Sequence, residues 1–308
     1  MMSAGDLKSC FDRQRAAYHQ NPQPSRALRL ADLDALTRLL RDNRDAIVEA
    51  INLDFGSRSS FETLFLEFYV AQSGIRAATR QLRGWMKPQR RRKSAAILSP
   101  GASNHVVPQP VGVVGVIVPW NFPLLLSVSP LVSIFAAGNH AMVKMSENSG
   151  HLAALLAALS SKYLPAEKLQ FFADQDGLGP AFASLAFDHL LFTGSGATGR
   201  AVMTSAARNL TPVTLELGGK SPAIVGPDYP VKTAAERILW GKMLNAGQIC
   251  TAIDYAFVLT GAVAEFAEHC RRLFAERYPD INSPDYTSII DERAFRRLTD
   301  TEIGRAHV

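Results

Sequence analysis

The sequence predicts an α/β fold built on a doubly wound parallel sheet. From Leu131 onward, short apolar runs alternate with helical segments of ten or so residues, which is the pattern of βαβ units. The apolar run ending at Phe192 passes straight into a glycine-rich turn and then a helix, as nucleotide-binding units do. The 308 residues suffice for about two domains. At 47% hydrophobic and 20% charged, the chain is neither disordered nor fibrous in character.

The first ninety residues read as helical. Leu30, Leu33, Leu36, Leu40, Ile47 and Ile51 recur at helical spacing, with Arg and Asp between them. A second helical stretch covers 64–85 and is ended by Pro88. Residues 95–99 and 105–109 flank a Pro100-Gly101 turn and read as a hairpin, followed by the strand VGVVGVIV. Residues 131–143 suit a buried helix and a strand. Helix 151–163, strand LQFFA, a helix at 180–185, strand 189–193, helix 198–208 and strand 213–217 complete the alternation. After SPAIVG, a helix over 231–244 opens a second domain.

Composition narrows the function classes. Cys10, Cys250 and Cys270, with no CxxC, exclude a disulfide scaffold and zinc-ribbon spacing. A sparse, odd cysteine count points to a reducing cytoplasm. The formal charge of +5 has one address, the cluster Lys87, Arg90, Arg91, Arg92 and Lys93. That is a solvated turn rather than a nucleic-acid face, so no nucleic acid is expected. No charged residue occurs over 94–143, yet Pro108, Pro110, Pro119, Pro123 and Pro130 break its apolar runs well short of the ~18 residues of a spanning helix. The N-terminus lacks an apolar signal core. A soluble protein with no membrane partner is expected.

Five segments carry candidate chemistry. Gly194-Ser195-Gly196-Ala197-Thr198-Gly199 spells GxGxxG between strand and helix, where glycines let backbone approach a pyrophosphate. Glu216, in ELGGK, lies at the spacing of a ribose ligand, but the glycines beyond it suit a catalytic carboxylate equally. Cys250, in NAGQIC, is either a small buried residue or a nucleophile. Asn121, in PWNFP, is held between two prolines, where its amide can serve a turn or a ligand. Lys144 and Glu147 follow a strand end, where open α/β sheets bind ligands.

Taken together, PWNFP, GNxxxVK, FTGS, LELGGK and GQxC resemble the aldehyde dehydrogenase superfamily, in that family's order. Gly84–Pro88, NLTPVTLELGGKSPA and Asp254-Tyr255 are similar to its coniferyl aldehyde dehydrogenase group. The resemblance implies a Rossmann-like NAD-binding domain over 1–94 and 111–218 and an oligomerisation hairpin over 95–110. It also implies an incomplete catalytic domain over 219–301. It implies NAD-dependent oxidation of an aromatic aldehyde to the acid, through a cysteine thiohemiacetal and thioester, and a homodimer for the full-length protein.

By the same resemblance, Cys250 is the nucleophile, and Asn121 with the Cys250 N–H holds the oxyanion. Glu216 is then the general base rather than a ribose ligand. Lys144 and Glu147 hold the adenosine ribose. Residues 194–199 hold the pyrophosphate, Trp120 joins the cofactor site, and no metal is implied. Glu147 would repel a 2′-phosphate, which favours NAD. Met145 and Ile253 stand where the family and the coniferyl group usually have proline. The family's E-x-F-G-P motif does not occur, and residues 302–308 resemble a translated sequencing adapter; truncation with a non-native tail is expected. The alternative is a catalytically incompetent nucleotide-binding fragment.

Overall fold

The structure, a computed structural model, describes residues 4–92, 103–174 and 177–305. Its first half is a helical layer: α1 (Ala4–Gln20), α2 (Arg26–Asp42), α3 (Arg44–Phe55), the turn α4 (Ser60–Glu62), a π-helical stretch Thr63–Tyr69 and α5 (Val70–Trp85). The leucine and isoleucine spacing of α2 and α3 becomes a buried stripe, with Leu33, Leu36, Leu40, Ile47 and Ile51 each almost fully enclosed.

Two short exposed strands follow, β1 (Gln89–Arg91) and β2 (Asn104–Val106), paired antiparallel from Gln89↔Val106 to Arg91↔Asn104. The expected solvated turn at Arg90 and Arg91 is therefore a strand, because each extended backbone satisfies the other. The expected strand 95–99 and the Pro100-Gly101 turn lie outside the described residues.

The centre is a five-stranded parallel sheet of β3 (Val113–Ile117), β4 (His140–Lys144), β5 (Leu169–Phe172), β6 (His189–Gly194) and β7 (Val213–Leu217), in the order β5-β4-β3-β6-β7. The connecting helices are α6 (Leu125–Ala137), α7 (Gly150–Ser160), α8 (Gly179–Ala183) and α9 (Gly196–Ala207). One apolar cluster joins α2, α3, α5, α6 and α7 to one face of the sheet. A second joins α1, α8 and α9 to the other. The sheet is doubly wound, as its sequence pattern requires. β3 is buried throughout, so this part of the charge-free stretch is core, whereas residues 103–109 are exposed. Among the described residues, no helix is long and apolar enough to cross a membrane.

Strand order reverses between β3 and β6, so their carboxyl ends form a crevice. The Asn121 loop leaves β3 there and the Gly194–Gly199 turn leaves β6. A second, smaller sheet pairs β8 (Ser221–Ile224) in parallel with β9 (Ile253–Phe257), joined through α10 (Val231–Met243) and the 3-10 turn Leu244–Gly247. Helices α11 (Val263–Arg277) and α12 (Glu292–Arg305) follow. The 283–291 segment returns to the first unit, where the Ser288 N–H donates to Ser57 O at 2.9 Å.

Candidate active site

Ser195 caps α9 from an extended conformation, its Oγ accepting the Thr198 N–H at 3.2 Å. The three glycines of the turn differ in purpose. A Cβ on Gly199 would press on Leu217 at 3.2 Å, and one on Gly194 on the Phe192 ring at 2.6 Å, so both serve packing. A Cβ on Gly196 would meet nothing within 4 Å. Gly196 and Ala197 are exposed in the first helical turn, where N–H groups have no intrahelical acceptor. That open, donor-lined cradle fits a pyrophosphate.

Lys144 ends β4, buried and ion-paired with Asp174 of the β5–α8 connection. Glu147 is exposed beyond it, and the Ser146 hydroxyl donates to its carboxylate at 3.3 Å. Met145 is fully buried, and its N–H donates to Phe172 O at 2.9 Å. The residue in the family's proline position thus extends the sheet ladder before the Glu147 turn. Trp120 is half-buried, and its ring meets Phe55 edge-on at 6.2 Å, so it packs on the core.

The Asn121 loop and the Cys250 loop touch. Asn121 Nδ2 donates to Gln248 O at 3.1 Å, two residues before the cysteine. Gln248 is itself clamped: Nε2 donates to Asn245 O and Ser288 O, each at 3.0 Å, and Oε1 accepts the Ile290 N–H at 3.0 Å. Cys250 is half-buried. Glu216 is exposed on β7, opposite Thr193 of β6. The turn after Glu216 approaches the cysteine loop, because a Cβ on Gly219 would lie 4.0 Å from Cys250 O. Burial pushes the Cys10 and Cys270 thiols up, which suits inert helix residues.

Sequence reasoning missed what holds this site. Arg58 Nη1 donates to Asn121 O at 2.7 Å, and its guanidinium lies between the Phe55 and Phe122 rings, 4.7 and 5.0 Å from their centroids. Arg58 Nη2 is 3.3 Å from Glu67 Oε1, with both side chains fully enclosed. Glu67 Oε2 accepts the Leu124 and Leu125 N–H groups at 2.8 and 3.0 Å, at the start of α6. Burial pushes the Glu67 carboxyl up and Arg58 down, while their mutual attraction opposes both shifts. One signal for Glu67 existed: it precedes Ala71, Ile75, Ala78 and Leu82 on the buried stripe of α5, a charge in apolar phase. Glu62 and Asn245 had no such mark.

A doubly wound sheet with a donor-lined glycine turn and a cysteine loop at its carboxyl edge defines an α/β protein with a crevice at a topological switch point. The aldehyde dehydrogenase family profile matches residues 1–302, and the chain belongs to that family. It is 47% identical over 293 residues to a probable coniferyl aldehyde dehydrogenase of Pseudomonas aeruginosa, covering 95% of this chain and 61% of that protein. The substrate-bound Staphylococcus aureus AldH structure aligns with TM-score 0.90 at 29% identity, over 96% of this chain and 64% of that one. The Mycobacterium tuberculosis aldehyde dehydrogenase complexed with NAD+ aligns with TM-score 0.84 at 26% identity, over 95% and 61%. The chain thus spans about 61% of the length of the curated relatives it matches.

Proposed function

We propose that this chain carries the nucleotide-binding and nucleophile parts of an NAD-dependent enzyme that oxidises an aromatic aldehyde to its acid. The observation that carries this reading is the Asn121 Nδ2 to Gln248 O bond, which joins the amide loop to the cysteine loop. Likeness to a coniferyl aldehyde dehydrogenase and to an NAD+ complex supports the substrate class and the cofactor.

The Cys250 thiolate adds to the aldehyde carbon, forming a C–S bond while the carbonyl π electrons move to oxygen. The second N–H of the Asn121 amide and the Cys250 N–H stabilise that oxygen; such donors are worth about 3–4 kcal/mol each. NAD, when bound, supplies the hydride acceptor. Glu216 takes a proton from water, which attacks the resulting Cys250 thioester and releases the acid and the thiol.

Gly194, Ser195, Gly196, Ala197, Thr198 and Gly199 would hold the pyrophosphate, and Lys144 and Glu147 the adenosine ribose, with Trp120 beside it. The carboxylate of Glu147 disfavours a 2′-phosphate. Residues 95–110 would serve as an oligomerisation arm for a homodimer, and the free thiols suit a reducing cytoplasm. The units then run over 1–94 with 111–218, and over 219–301.

The test is to incubate the 308-residue chain with NAD and coniferaldehyde or benzaldehyde and follow NADH absorbance. Signal abolished by Cys250→Ser supports catalysis. The exposure of Glu216 favours a second reading, nucleotide binding without turnover. Calorimetric NAD binding with no NADH formed would support that one. Neither binding nor turnover overturns both.

A further inference from the structure

Asn245 is fully buried, and its side-chain nitrogen donates to carbonyls on two different loops, Asn121 O and Gln248 O, each at 3.1 Å. Gln248 O also receives the Asn121 side-chain amide. The contacts close a ring: Asn121 O, Asn245 Nδ2, Gln248 O, Asn121 Nδ2. Asn245 therefore fixes Asn121 twice, directly through its carbonyl and through the acceptor that its amide shares. An amide nitrogen has two N–H groups. Spending one on Gln248 sets the plane of the Asn121 amide and leaves the other for an incoming oxygen.

The ring needs an unusual backbone. Asn245 has φ 52 and ψ 33, Ala246 φ 51 and ψ 33, and Gly247 φ 75, three left-handed residues in succession. Left-handed non-glycine residues persist only where the surroundings over-determine them. Glu62 does so from the far end of the chain: its Oε2 accepts the Asn245 N–H at 3.0 Å and the Thr287 hydroxyl at 2.8 Å.

We propose that Asn245 is a positioning residue for the acyl-oxygen site, aligning the Asn121 amide with the Cys250 loop, and that Glu62 holds Asn245 in its left-handed conformation. This rests on the reading of Asn121 and Cys250 given above.

Two reactions of the same thiol separate positioning from general support. With p-nitrophenyl acetate, the thiolate attacks the carbonyl carbon, charge gathers on oxygen, and p-nitrophenolate leaves. With iodoacetamide, it displaces iodide at a saturated carbon, and no oxyanion forms. Neither consumes NAD, and peptide mass spectrometry distinguishes Cys250 from Cys10 and Cys270.

Asn245→Gly keeps the positive φ and deletes the amide. It is expected to slow acylation of Cys250 about 10-fold or more while leaving alkylation within about twofold. Asn121→Ala does the same, and the double variant is no slower than Asn121→Ala alone. If Asn245→Gly slows both reactions alike, or neither, the proposal falls while the Asn121 reading stands. If Asn121→Ala itself leaves acylation unchanged, that reading falls and the proposal with it. Should Asn245→Gly not fold, Glu62→Gln keeps the volume and weakens the grip on the Asn245 N–H. It is then expected to slow acylation about 3-fold without slowing alkylation, and equal rates would refute the proposal.

Discussion

Glu67→Ala tests whether the buried Arg58–Glu67 pair sets the Asn121 loop. The substitution removes the acceptor of the Leu124 and Leu125 N–H groups, at 2.8 and 3.0 Å, and leaves Arg58 enclosed without its partner. Two bonds to a charged acceptor are worth about 1.5–3 kcal/mol each, and breaking one half of a buried pair costs about 3–5 kcal/mol. The expected loss is about 4 kcal/mol. Arg58→Met loses the bond to Asn121 O and strands Glu67 in turn, at a similar cost. The double variant Arg58→Met/Glu67→Ala removes both charges together. Its main remaining cost is two orphaned N–H groups, about 3 kcal/mol in all. The cycle should therefore show coupling of about 3 kcal/mol or more. Urea unfolding, followed by circular dichroism and tryptophan fluorescence, measures it. Additive costs, or a Glu67→Ala loss below about 1 kcal/mol, would refute the reasoning.

Three further outcomes are expected. Gly112 has φ +141, and a Cβ there would overlap the Asp188 carboxylate, which accepts the Val113 N–H at 2.8 Å. Gly112→Ala should cost about 3 kcal/mol in the same unfolding assay, and a neutral result would count against it. Burial pushes the His140 and His189 imidazoles down. The unfolded chain therefore binds their protons first, and stability present above about pH 6.5 is lost as pH falls. Urea midpoints at pH 7.5 and 5.5 should show that loss, and His140→Asn/His189→Asn should shrink it; an unchanged pH dependence would contradict the assignment. Glu147→Gln should tighten NADP relative to NAD by about 3- to 10-fold in calorimetric titration, and an unchanged ratio would remove Glu147 from the ribose site.

Local patterns were legible in the sequence because they depend on near neighbours. Alternating apolar runs marked β3 to β7 and their helices, and strand VTLEL was located to the residue at Val213–Leu217. Other boundaries moved by a few residues: α6 starts at Leu125 although the pattern was read from Leu131, since Pro130 is accommodated inside the helix. Strand β1 was missed because Gln89–Arg91 carries no apolar alternation, and its partner Asn104–Val106 is what makes it extended.

Family motifs pointed to Asn121, Glu216 and Cys250, and the aldehyde dehydrogenase family profile spans all three positions. Their support could not be read that way. Glu62 reaches Asn245 across 183 positions, and Arg58 reaches Asn121 across 63, through single hydrogen bonds that leave no periodic trace. The sequence by itself determined which segments become strand, helix and glycine turn, because propensity and hydrophobic period act locally. Only the tertiary structure decided that two loops share one carbonyl at Gln248, because burial penalises enclosed polar groups that lack a partner, wherever in the chain that partner lies.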